Sequence, residues 1–183
     1  LKAIWKAHGE PCPYFAMLLA DGDRMGELLD KAEKIEHHQS ITKHLSAFAE
    51  GVPQTMQKHQ AQCIYAGGDD VLGLVPLNQA LKCAEALAEK FSASLKPVAD
   101  GLGAENPPTL SVGLAICHIN TPLGNIRALA KRAEKEAKGD KYPKKTQRNA
   151  LGITLAVRGG ATVDMRLRWD AKSALEKFRF WQQ

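Results

Sequence analysis

Two apolar runs, each closed by aspartates, constrain this chain more than anything else in it. "YFAMLLADGD" (residues 14–23) delivers Asp21 and Asp23 behind a continuous apolar stretch. Forty residues on, "CIYAGGDDVLGLVP" (63–76) sets Asp69 and Asp70 between two more such runs. An unbroken apolar run of this length reads as a strand buried on both faces. Two runs, about 62–66 and 71–76, separated by Gly-Gly-Asp-Asp read as a hairpin.

The remaining elements follow from periodicity and punctuation. Met25, Leu28, Leu29, Ala32 and Ile35 carry helical spacing. After "EHHQS" it resumes at Ile41, Leu45, Phe48 and Ala49, with Gly51 and Pro53 as the expected stop. A helix is predicted from Pro76 to Leu95, then a loop, "PVADGLGAENPP", then a strand, "TLSVGLAICHI". Thr121 is the expected cap of a helix with Pro122 in its first turn, running through Ile126, Leu129, Ala130 and Ala133. Strands "ALGITLAV" and "TVDMRLRW" come next, and Asp170 is expected to cap a last helix, "AKSALEKFRFW".

This order predicts an α+β fold: a ferredoxin-like βαββαβ arrangement with a mixed, mainly antiparallel sheet and helices on one face. The predicted division is residues 1–160 as one domain and 161–183 as a short strand and helix extension. The chain starts at Leu1 and stops after "FRFWQQ", so it is read as a piece of a longer protein.

In that arrangement the first strand lies antiparallel to the second strand of the hairpin. Asp21 ends one where Asp70 begins the other, so the two acidic turns meet at one edge of the sheet. Carboxylates gathered this closely repel one another unless cations neutralise them. Hard divalent ions, Mg²⁺ or Mn²⁺, suit an all-oxygen site. Gly67 and Gly68 remove side chains where a nucleotide would approach and permit a positive φ. The segment from Asp23 through Arg24, Met25 and Gly26 leads into a helix start, whose free N–H groups favour phosphate. An EF-hand reading of "DGDRMG" fails, because Met25 and Ala32 stand where the loop needs oxygen ligands. A lone Gly-Gly-Asp-Asp is ordinary turn chemistry; the pairing with Asp21 is what points to a metal.

At these residues the chain resembles the palm domain shared by nucleic-acid polymerases, class III nucleotidyl cyclases and diguanylate cyclases. "LLADGDRMG", "YAGGDDVLGLVP", "LSVGLAI" and "RALAKRAEKEAK" with "KKTQRNALGI" are most similar to the large polymerase-like subunit of type III CRISPR effector complexes, Cmr subtype. The resemblance, over roughly residues 12–160, implies conversion of ATP to cyclic oligoadenylates by a two-metal mechanism. It implies Asp21, Asp69 and Asp70 as catalytic residues and metal ligands, with the Gly22 carbonyl. Lys138 and Arg148 are implied near the triphosphate, with Lys141 a rival and Ser111 a further phosphate contact. Other subunits of the complex, and guide and target RNA, are the implied partners.

Leu29 stands where diguanylate cyclases carry a guanine-reading Asn, which favours adenine. The alternatives are a diguanylate-cyclase-like enzyme and a catalytically silent scaffold. The CRISPR subunit's HD nuclease is not encoded in this segment, which has no His-Asp dipeptide. His37, His38, His44 and His118 are read as structural or solvated.

The charge supports a phosphate-rich partner. Arg127 to Arg148 holds nine Lys or Arg against three acids, a local +6 that leaves −1 for the rest of a +5 chain. The four cysteines form no C-x-x-C pair, so they are read as free thiols in a reducing cytoplasm. No run approaches the ~20 apolar residues of a membrane span.

Overall fold

The computed structural model describes residues 5–6, 9–158 and 160–180, with side chains described as far as Glu176. Tyr14–Asp23 (β1) is followed by a six-residue helix, Met25–Asp30 (α1), and a long one, Ile35–Lys58 (α2). Gln62–Gly67 (β2) and Asp70–Pro76 (β3) form the hairpin. Ala80–Gly101 (α3), Thr109–His118 (β4), Leu123–Lys138 (α4) and Ala150–Ala156 (β5) follow, then Val163–Arg168 (β6) and Lys172–Phe180 (α5).

The six strands make one sheet in the order β2-β3-β1-β4-β5-β6. Only β4 and β5 pair in parallel; the other four pairings are antiparallel. The first four strands have the expected ferredoxin-like order, and β1 sits beside β3 as predicted. β6 adds to the same sheet beyond residue 160, and Trp169 behind it packs on the main core and donates its indole N–H to the Leu110 carbonyl at 3.0 Å.

The helices do not share one face. Ala16, Leu18 and Ala20 of β1 face a core with Phe48 and Met56 of α2 and Leu87 and Phe91 of α3. The alternate residue Met17 faces Ile126 and Ala130 of α4 instead. The parallel β4-α4-β5 crossover puts α4 on the opposite face. It lies very close there: a Cβ at Gly113 would come within 2.3 Å of the Glu134 nitrogen, and one at Gly152 within 2.0 Å of the Ala133 carbonyl oxygen. Residues 21 and 23 of β1 share the α4 face, which is why α4 and the aspartates meet.

Two helices outrun their predicted stops. α2 continues through Gly51 and Pro53, and α3 through Pro97. An interior proline costs ~3 kcal/mol. On either side of Pro53, however, Val52 and Met56 are both fully buried with Phe48. Burying such side chains returns ~1.5–3 kcal/mol each. The Gly51 carbonyl also accepts from Lys90 Nζ and Thr55 Oγ1, both at 3.0 Å. Likewise Val98 and Ala99 beyond Pro97 bury against Leu28 and Ile41.

Two predicted caps are absent. α4 starts from Pro122, whose carbonyl accepts from Asn125 and Ile126, and Thr121 makes no side-chain cap. Asp170 is held by the Arg168 guanidinium, and the Ala171 carbonyl receives the first N–H groups of α5. The predicted end of α5 at Trp181 lies outside the described residues.

Candidate active site

The geometry starts from strand register. β1 pairs with β3 as far as Ala20 opposite Val71, so one step on Asp70 faces Asp21. Gly67 pairs with Asp70, leaving Gly68 and Asp69 as a two-residue turn. Gly68 has φ +63°, at the position where such a hairpin demands a residue free to adopt it. The Asp69 side chain folds back over β1. A Cβ at Gly22 would stand 2.7 Å from Asp69 Cβ and 2.9 Å from its Oδ2. Asp21, Asp69 and Asp70 thus gather at one end of two central strands, as the sequence predicts.

Burial and neighbouring charge act together on Asp69 and Asp70. Burial first, and then the Asp21 charge, pushes the Asp69 carboxyl above the ordinary range. The Asp70 carboxyl is raised by burial and then by Asp21 and Asp69. Opposing them is a cation. Lys138, at the last turn of α4, bonds Asp21 Oδ1 and stands 3.3 Å from Glu134 Oε1. Burial disfavours its charge, but the bond to Asp21 and the fields of Asp21 and Glu134 outweigh that and hold the ammonium above the usual lysine range.

The other predicted residues separate by position. Asp23 is buried, 1% exposed, and accepts from Thr109 Oγ1 at 2.8 Å, Ser111 Oγ at 2.8 Å and the Asn149 N–H at 3.0 Å. Ser111 is buried with it. The prediction that these two touch a nucleotide is corrected: they have no open face and are satisfied by each other. Met25 is half-buried, its side chain packed against the core. α1 is a six-residue helix, too short for the strong N-terminal dipole expected there. Arg24 turns the chain at φ 60°, and Gly26 has open space around it. Lys141 pairs with Glu136 at 2.8 Å, so Lys138 is the lysine at the acids. Arg148 bonds the Lys138 carbonyl at 3.0 Å and Asp140, with its Nε 3.8 Å from Asp23. It braces the site from behind.

The donor set fits a divalent ion that shares its coordination with a substrate. Among the described residues no three His, Cys, Asp or Glu side chains converge as a ready-made cage. Mg²⁺ binds through one or two carboxylates plus phosphate oxygens, and Asp21, Asp69 and Asp70 offer three.

A family model for the second palm domain of Cas10/Cmr2 matches residues 14–152. The chain belongs to this family. The Cmr subunit Cmr2 of the CRISPR system of Pyrococcus furiosus is 28% identical over 196 residues, covering 93% of this chain and 22% of that protein. This palm therefore spans about a fifth of its curated relative's length. In a crystal structure of a Csm1–Csm4 cassette in complex with cA4, one chain aligns with TM-score 0.66 and 17% identity, over 90% of this chain and 24% of that one. The guanylyl cyclase Cya2 aligns with TM-score 0.53 and 15% identity, over 84% of this chain and 90% of its own. These two likenesses show a shared cyclase-like fold.

Sequence reasoning overlooked Glu134, Thr109, Asn149 and Arg166 in this palm. Glu134 and Lys138 are four apart on a helix, a spacing that marks an ion pair. The others depend on sheet register and a loop, for which the sequence carries no short-range signal.

Proposed function

We propose that this palm is the nucleotidyltransferase module of a type III CRISPR effector subunit, converting ATP to cyclic oligoadenylates with Mg²⁺ or Mn²⁺. The observation that carries the reading is the meeting of Asp21, Asp69 and Asp70 from two distant segments, with the Lys138 ammonium paired to Asp21. Bound divalent ions supply charge neutralisation and an acidified ribose hydroxyl. Asp21, Asp69 and Asp70 hold the ions, the bare Gly22 backbone lets Asp69 close over the strand, and Lys138 meets the phosphates. Joining two nucleotides needs two pockets, and this palm has one acidic cluster. A second palm of the parent protein supplies the other, and the remaining subunits, guide RNA and target RNA govern when it works.

In the full effector complex, Asp69→Ala with Asp70→Ala is expected to cut oligoadenylate synthesis at least 100-fold while leaving assembly intact. Undiminished synthesis rejects the assignment. The scaffold reading draws on Arg127, Lys131 and Lys135, exposed at four-residue spacing on α4 and suited to RNA phosphates. Calorimetry of the parent protein with Mg²⁺ and ATP separates the two: absence of metal-dependent ATP binding favours the scaffold.

A further inference from the structure

Lys138 ends α4, and the last carbonyls of a helix have no partners within it. Here one of them, that of Ala137, is claimed by an arginine from the far edge of the sheet. Arg166 of β6 donates Nε–H to the Ala137 carbonyl at 3.1 Å, and its Nη2 donates to the carbonyls of Thr146 at 2.8 Å and Arg148 at 3.2 Å. Its guanidinium carbon lies 5.1 Å from the centre of the Tyr142 ring. Gly139, the left-handed residue closing α4 at φ +66°, leaves the space: a Cβ there would sit 2.9 Å from the Arg166 guanidinium carbon. Arg148 completes the fastening, since its backbone N–H and its Nη1 both donate to the Lys138 carbonyl, at 2.9 and 3.0 Å.

Arg148 and Asn149 carry this load in an unfavourable conformation. Both have positive φ, 65° and 50°, which non-glycine residues adopt only at a cost. The pair is pinned by the buried Asp23, which accepts the Asn149 N–H, by Arg166 on the Arg148 carbonyl, and by Trp169 N–H on the Asn149 carbonyl at 3.0 Å. The cost is borne by a clasp whose one product is a fixed end for α4, with the Lys138 ammonium on Asp21.

We propose that Arg166 is a positioning residue for the acidic edge: by clasping the C-terminus of α4 and the 146–148 loop, it sets where the Lys138 ammonium stands. Arg166 lies beyond the segment matched by the family model, residues 14–152. A lysine at this position can reach one carbonyl at a time, whereas the guanidinium fork reaches three from one planar group.

The proposal rests on the nucleotidyltransferase reading only for its effect on ATP. Its first test is independent of that reading. In the full-length parent protein, the acylation rate of Lys138 by an amine-reactive reagent is followed by mass spectrometry. Arg166→Met is expected to raise it at least threefold and Arg166→Lys to restore less than half of the protection. Arg132→Met, which breaks the exposed pair with Asp164 elsewhere on α4, is expected to leave it unchanged. An unaltered Lys138 rate in a folded Arg166→Met protein overturns the proposal. Should that variant not fold, Gly139→Ala, which crowds the guanidinium, is read by the same criterion.

The second test is a double-mutant cycle on Mg²⁺-dependent ATP affinity. Arg166→Met is expected to weaken binding about fivefold beside Lys138 and not at all in a Lys138→Met background. Equal loss in both backgrounds overturns a route through Lys138. If the unmutated protein binds no ATP, the nucleotidyltransferase reading fails while the acylation result still decides the clasp.

Discussion

Gly22 is the residue on which the acidic cluster turns. Any side chain there meets Asp69 from one side and Phe91 Cζ, 2.9 Å away, from the other. Gly22→Ala must displace the Asp69 carboxylate or the phenyl ring, so in the parent protein it is expected to lower activity at least tenfold and to destabilise the palm by ~1–3 kcal/mol. Gly26→Ala, four residues further on, has open space around it and ordinary φ, and is expected to be silent in both assays. The acids also set a pH dependence. Asp69 and Asp70 bind protons more tightly folded than unfolded, because burial and mutual repulsion raise them. Their contribution to stability therefore grows as pH falls from neutral through their raised range. Asp170, lowered by the Arg168 guanidinium, loses its contribution as pH falls. Denaturation across pH is expected to show the first trend flattened by Asp69→Asn with Asp70→Asn.

Elements explain why part of this site was readable and part was not. The apolar runs of β1 and β3, with aspartates at their ends, announce a meeting of Asp21 and Asp70 because antiparallel register leaves no other place for them. The roles of Asp23 and Ser111 were misread, since alternation along β1 puts residues 21 and 23 on the same face and only the β4 partner decides which is open. Asp23 faces Thr109 and Ser111, two hydroxyls, and is consumed by them. Pro53 and Pro97 misled in the same way: a local rule about backbone N–H groups was outweighed by burial that only the packed helices reveal. Ser111→Ala leaves Asp23 short of a buried donor and is expected to cost ~1–3 kcal/mol, measured by chemical denaturation, with Mg²⁺ affinity within twofold of the unmutated protein. Loss of metal binding with unchanged stability would instead return Ser111 to the nucleotide.

At the scale of the whole molecule, helices pack on both faces of the sheet and leave part of the β2 edge open. Ile64 and Tyr65 of β2 remain more than half exposed there. The covering of β1, β4 and β5 by α4 was hidden from sequence because Gly113 and Gly152, which admit the helix, read as weak points in strands. Ion binding ought to register globally: millimolar Mg²⁺ is expected to raise the melting temperature of the parent protein by several degrees, and to raise it much less after Asp69→Ala with Asp70→Ala.

Lys138 gives the acidic cluster a tethered positive charge of its own. A chain so equipped does not have to wait for an ion before it folds. Stripped by a chelator, the palm is expected to keep its circular dichroism spectrum.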